Sequence, residues 1–195
     1  MKIIPLTILI CILLGLSLQA QVSGISLPNS KTGLEEKLAL KVEYFGELVL
    51  HPGLSVGIEY TLSKNNWNTL HWNTDLGGFW HRWNNTAVFL KTSVGSRIAT
   101  GPVFADINLG IGYMHSWAAG DLYQSDGNGG VEKATNWGHA HFMPNASLLF
   151  GWDGSVKTNL PWAVHLGPEV YLQSSFNHIF LPHIAAKIGF TYKLK

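Results

Sequence analysis

An all-β fold, an eight-stranded antiparallel up-and-down transmembrane β-barrel, is what this sequence predicts, and three observations predict it. Charged residues make up 13% of the 195, about half of the ~25% found in ordinary soluble domains. After the first twenty residues no apolar run reaches the ~20 residues that a membrane helix needs. From Leu38 onward apolar residues recur with a period of two, in stretches whose apolar faces carry no charge. A chain that crosses lipid without helices must cross it with strands, and those strands must close on themselves to satisfy their backbone.

The N-terminus carries its own logic. Lys2, the run IIPLTILICILLGL and the small-residue site Leu18-Gln19-Ala20 read as a secretory signal over residues 1–20. Residues 21–37, with Gly24, Pro28, Asn29, Ser30 and Gly33, read as an N-terminal periplasmic linker, and 38–195 as the barrel. The only cysteine, Cys11, falls inside the signal, so the exported chain is expected to hold no disulfide and no thiolate ligand. A net charge of +1 gives no reason to propose a nucleic-acid partner, and no cofactor is implied.

The alternating stretches run over about 38–48, 53–62, 68–80, 86–97, 102–115, 138–152, 162–173 and 180–194. Lipid-side faces begin with Leu38, Leu40, Val42 and Tyr44 and end with Ile184, Ala186, Ile188, Phe190, Tyr192 and Leu194. The opposite faces hold Lys41, Glu43, Glu59, Asp75, Lys91, Arg97, Asp106, Glu169 and Lys187, with His71, Asn73, Asn108, His141, Asn145, His165 and Gln173 among them. Four cations against five anions, in a lumen only wide enough for side chains to fill, predict a network of paired charges that plugs the barrel. Inward glycines leave space for long charged neighbours. Pro144, Pro168 and Pro182 fall within strands on the lipid side, where a missing N–H predicts bulges or shifted boundaries.

If the first strand runs outward, the short turns lie on the periplasmic side and the one long connection, 116–137, lies outside. Trp80, Trp83, Trp117 and Trp137 then mark the outer interface, and Trp67, Trp152 and Trp162 the inner one, as two aromatic girdles. The ending Lys187, Ile188, Gly189, Phe190, Thr191, Tyr192, Lys193, Leu194 resembles the terminal sorting signal of small outer-membrane β-barrel proteins, of the OmpA/OmpX-like architecture and including Bacteroidota-type members. That resemblance implies that the last strand, through Lys187, Gly189, Tyr192 and Leu194, is read by the barrel-assembly machinery and then closes the barrel against the first. It also implies outer-membrane lipid as the surrounding partner. A lipocalin-like barrel would invert the faces, but the polar faces are too rich in Gly and His to form a water-exposed surface.

Several groups carry possible chemistry. His115 beside Ser116, with Asp121 nearby, suggests a base and a nucleophile, in the manner of a lipid A deacylase. Its spacing departs from that family's His-x-Ser-Asn motif, and neighbouring residues on a strand face opposite ways. His139 and His141 share a face at a chelating spacing but lack a third ligand. Asp126 alone supplies a carboxylate in DGNGG, far short of a calcium shell. No catalytic or metal residue is therefore assigned. The function expected is non-enzymatic, in membrane structure or in binding an extracellular ligand through the loop 116–137. A lipid-modifying enzyme and a narrow pore are the alternatives.

Overall fold

The structure, a computed structural model, describes residues 37–48, 51–127, 129–158, 160–176 and 179–194. The signal expected over 1–20, and all of the expected linker except Lys37, lie outside the described residues. Eleven strands follow in order: β1 (Leu38–Glu47), β2 (Gly53–Lys64), β3 (Asn68–Trp80), β4 (Asn85–Thr100), β5 (Val103–Ala118), β6 (Leu122–Ser125), β7 (Val131–Ala134), β8 (His139–Phe142), β9 (Asn145–Asp153), β10 (Trp162–Phe176) and β11 (Ile179–Lys193). β8 and β9 together make the sixth stave, since both hold one register against β5, Tyr113 opposite Phe142 and Gly110 opposite Asn145. Eight antiparallel staves result, each hydrogen-bonded to its chain neighbour.

Closure comes from the two ends of the chain. β1 pairs with β11 from Ala39 opposite Lys193 to Glu47 opposite Ala185, so the alternating C-terminal stretch is the seam partner of the first strand. The seam pairs nine residues of each strand without a register shift, the closure that a lipid environment demands. Outside, the apolar faces form a belt in which Leu109 is 66% exposed, Leu166 61% and Ile188 61%. Such exposure over so many large apolar side chains marks a surface made for contact with lipid. The one tryptophan in the middle of this belt, Trp72, donates its indole N–H to Thr92 Oγ1, which satisfies its polar edge away from water.

Three expectations need correction in detail. Strands reach further than the periodicity suggests, β4 to Thr100, β5 to Ala118 and β10 to Phe176, because the backbone ladder, as between β4 and β5, runs on past the residues where the apolar alternation ends. Pro144 does divide the sixth stave, but without a register shift on β5. Pro168 makes no bulge: Leu166 opposite Phe150 and Glu169 opposite Ser147 keep the same count on either side of it, and only the ladder bonds between are missing. Pro182, opposite Leu172, sits past the last residue that β1 pairs, Glu47 opposite Ala185, so its absent N–H costs no ladder bond there. The bulges lie elsewhere, between Thr61 and Ser63 and between Gln173 and Phe176. The long connection is not an open loop either. β6 and β7 form a hairpin with Leu122 opposite Ala134 and Ser125 opposite Val131.

Candidate functional site

The interior is built in layers along the inward-facing parity of the strands. Nearest the turn end, Arg97 donates to both oxygens of Glu59 at 3.0 and 2.7 Å and to Asp106 at 3.0 and 2.8 Å. His71 Nε2 lies 3.1 Å from Asn108 Oδ1 and 3.4 Å from Asp106 Oδ1. Both are acceptors, so Nε2 carries the proton. Ligand atoms of Glu59, His71 and Asp106 lie within 4.8 Å of one another, the one buried cluster among the described residues with the makings of a metal site. The Arg97 guanidinium already supplies the cation there, and a metal would have to displace a bidentate ion pair.

The next layers hold the remaining charges. Lys41 meets Asp75 at 2.8 Å, Lys187 meets Glu43 at 2.8 Å, and Lys91 reaches both oxygens of Glu169 at 2.5 and 2.6 Å. Glu43 is the hub, since it also takes His165 Nε2 at 2.8 Å and the Ser55 hydroxyl at 3.3 Å. Every one of the nine charged residues named from the sequence thus faces inward and is ion-paired. Free space among them is a cavity of about 10 Å³, roughly the room of a single water.

Two inward glycines make this packing possible. A Cβ on Gly95 would stand 2.1 Å from Asn108 Oδ1 and 2.2 Å from His71 Nε2, and one on Gly189 would stand 2.2 Å from His165 Nε2. Gly189→Ala is expected to push His165 off Glu43 and cost about 1–3 kcal/mol, the range for overpacking a dense core. Chemical denaturation of the refolded protein in detergent checks it.

Above the charges lies a layer that the sequence reading missed. Phe45, Phe79, Phe89, Met114, Met143 and Tyr171 are buried inside the barrel, with Phe45 packed 4.8 Å from Phe89 and 5.9 Å from Tyr171. Lys91 links the layers, its ammonium 4.9 Å over the Phe45 ring and 5.1 Å over Phe89. The lumen is therefore not polar throughout. Strict parity would have found the layer, because Phe45 follows Lys41 and Glu43 on the same face; the adjacent Tyr44 hid it by making both faces aromatic. At the mouth, Glu47 accepts from His51 and His183 at 2.8 Å each, and the His51 and His81 rings stack at 3.5 Å.

His115 and Ser116 do not meet. β5 continues to Ala118, so the two point to opposite faces. His115 takes up outward partners, Tyr113 Oη at 3.0 Å and the Trp137 carbonyl at 3.0 Å. Ser116 points inward and pairs with His141 Nε2 at 2.9 Å. The His139–His141 chelate is not formed either, because His141 Nδ1 is committed to the Ser174 carbonyl at 2.7 Å. Asp121 pairs with Lys133 at 2.6 Å on the exposed hairpin, and Asp126 Oδ1 accepts the Gly130 N–H at its tip. Trp80, Trp83, Trp117 and Trp137 stand at the loop end, and Trp67, Trp152 and Trp162 at the turn end, with Trp152 and Trp162 5.3 Å apart.

This closed architecture can be set beside known proteins. The sequence matches no protein-family model, and no curated protein resembles it significantly. Solved structures do. The outer membrane enzyme PagL is similar over 80% of this chain and 99% of its own, with a TM-score of 0.51 at 9% identity. Neisserial surface protein A is similar over 80% of this chain and 96% of its own, with a TM-score of 0.50 at 10% identity. The chain has the fold of the eight-stranded outer-membrane β-barrels. The N-terminal β-barrel domain of Pseudomonas aeruginosa OprF covers 79% of this chain at 12% identity, with a TM-score of 0.48. An outer-membrane barrel fold accounts for both faces at once, apolar toward lipid and charged toward a narrow interior.

Proposed function

We propose that this is an outer-membrane protein with a closed lumen, exported by its N-terminal signal, that anchors a surface hairpin for interaction with an extracellular ligand. The fold serves both an enzyme and a surface protein, so the choice rests on the interior. The observation that carries the reading is the double closure among the described residues: ion pairs of Arg97 with Glu59 and Asp106 and of Lys91 with Glu169, and above them a buried aromatic layer that includes Phe45, Phe89 and Tyr171. The surface offered to a partner is the β6–β7 hairpin with exposed Tyr123 and Val131. Biogenesis in this reading uses Lys187, Gly189, Tyr192 and Leu194 as the assembly signal, and the two tryptophan groups sit at the headgroup levels.

Planar-bilayer recording of the refolded protein is expected to give a flat trace, since conduction needs a water-filled path. Discrete openings would replace this reading with a pore. Deleting residues 119–136 is expected to leave heat-modifiable gel migration intact while abolishing adhesion of expressing cells to surfaces that the full-length protein makes them bind. Unchanged adhesion, with detergent sensitivity restored equally by full-length and hairpin-less proteins, would reduce the role to membrane integrity.

A further inference from the structure

The mouth of the barrel holds a hydrogen-bonded constellation that the scaffold role does not use. Parity turns Ser116 inward, where its Oγ lies 2.9 Å from His141 Nε2. On the far side of the ring, His141 Nδ1 lies 2.7 Å from the carbonyl oxygen of Ser174. A carbonyl can only accept, so Nδ1 carries the proton and Nε2 is left as the lone pair that takes the Ser116 hydroxyl. That is the tautomer a general base needs, held by a third group. Gln173 Nε2 lies 3.0 Å from the same His141 Nε2, so an amide N–H and the serine hydroxyl compete for one lone pair.

The fold explains why a main-chain carbonyl is free to do this. The pairing of β10 with β9 stops at Tyr171 opposite Asn145, with one more bond from the Leu172 N–H to the Pro144 carbonyl. Beyond it β10 bulges against β11 between Gln173 and Phe176. The Phe142 N–H goes to the Ser174 hydroxyl rather than to its carbonyl. Pro144 and the bulge together release the Ser174 carbonyl from the ladder, and His141 takes it.

We infer that Ser116, His141, Gln173 and the Ser174 carbonyl form an ester-cleaving site at the loop-end mouth, an activity beyond the scaffold reading and independent of it. Ser116 Oγ attacks the ester carbonyl carbon as its proton passes to His141 Nε2, and the carbonyl π pair moves onto the oxygen. Protonation of Nε2 removes the acceptor of the Gln173 N–H, which is then free to donate to the developing oxyanion. An interaction made only as the charge develops lowers the barrier. Collapse expels the alkoxide, which takes the proton back from His141 and leaves as alcohol. Water, deprotonated by His141, then releases the acyl group as carboxylic acid and restores the serine.

The substrate has a short acyl group. Ser116, His141 and Gln173 are themselves only 7%, 5% and 5% exposed, and beneath them Phe79, Phe89, Met114, Met143 and Tyr171 are all at most 4% exposed. Those buried side chains leave no room for a long chain beneath Ser116, so the ester carbonyl approaches the small exposed part of Ser116 from the loop end.

A fluorophosphonate probe on the folded full-length protein, read by peptide mass spectrometry, tests this. The expected result is an adduct on Ser116 that is absent in Ser116→Ala and formed at least ~100-fold more slowly in His141→Gln, both variants keeping heat-modifiable migration. p-Nitrophenyl acetate is expected to be cleaved faster than p-nitrophenyl palmitate, and Gln173→Leu to slow acetate cleavage ~100-fold. A native protein that stays unlabelled at Ser116 overturns the site. Labelling indifferent to His141→Gln overturns the base, and equal cleavage of the palmitate ester overturns the size limit.

Discussion

Ile188→Arg is expected to prevent stable barrel formation. Ile188 lies near the centre of β11, opposite Tyr44 on β1 and Leu166 on β10, and its side chain is 61% exposed on the belt. A cation at mid-height on the lipid face of such a barrel costs about 2–4 kcal/mol. That is a large share of the 5–15 kcal/mol that holds a typical domain together. The position compounds the loss, because β11 is the strand that closes the barrel on β1, and a charge there penalises the seam itself. Unboiled wild-type protein should migrate as a compact band on a cold gel, and Ile188→Arg should run largely at the boiled position. Tyr123→Arg on the hairpin, equally exposed but in water, should leave migration unchanged. A variant at Ile188 that folds as well as wild type would mean that this face meets water, and the belt reading would fall.

What the sequence made legible follows from the physics of alternation. With a side-chain period of two, one parity choice per strand assigns a whole face, so Lys41, Glu43, Asp75, Lys91, Glu169 and Lys187 could be placed inside together before any partner was known. Which cation met which anion was not legible, because pairing depends on the stagger between strands that are distant in the chain, as in Lys91 with Glu169 or Glu43 with His165. Phe45 and Phe89 were overlooked because a search for polar against apolar faces has no way to flag an apolar residue on the polar side. Ser116 and His141 were both singled out, but each with its sequence neighbour, His115 and His139. The register that sets Ser116 opposite His139, and so brings His141 within reach, exists only once β8 lies on β5. Pro144, whose missing N–H predicts a bulge or a shifted boundary on the lipid side, also ends a ladder and helps free the Ser174 carbonyl.

Glu43→Ala is expected to cost about 3–5 kcal/mol, the penalty for removing one partner of a buried ion pair and leaving the other charged. Glu43 is 1% exposed and accepts from Lys187, His165 and Ser55 while lying 3.9 Å from Lys41. Its loss would leave Lys187 with only Glu169, 3.4 Å away, and Glu169 is already engaged by Lys91. Adding Lys187→Met to Glu43→Ala should recover much of the loss, because the orphaned cation goes with its partner and the methionine fills a similar volume. Tryptophan-fluorescence unfolding in detergent measures all three variants, and the double-mutant cycle gives the coupling directly. The size of the single-mutant loss also reports how dry the lumen is. In a water-filled channel the freed ammonium would be solvated and Glu43→Ala would cost below ~1 kcal/mol, whereas a cavity with room for about one water cannot hydrate it. Conductance should stay flat in Glu43→Ala even where stability drops, because Phe45, Phe89 and Tyr171 still close the lumen above. A variant that both unfolds easily and conducts would show that the charges, rather than the aromatic layer, are what seals the barrel.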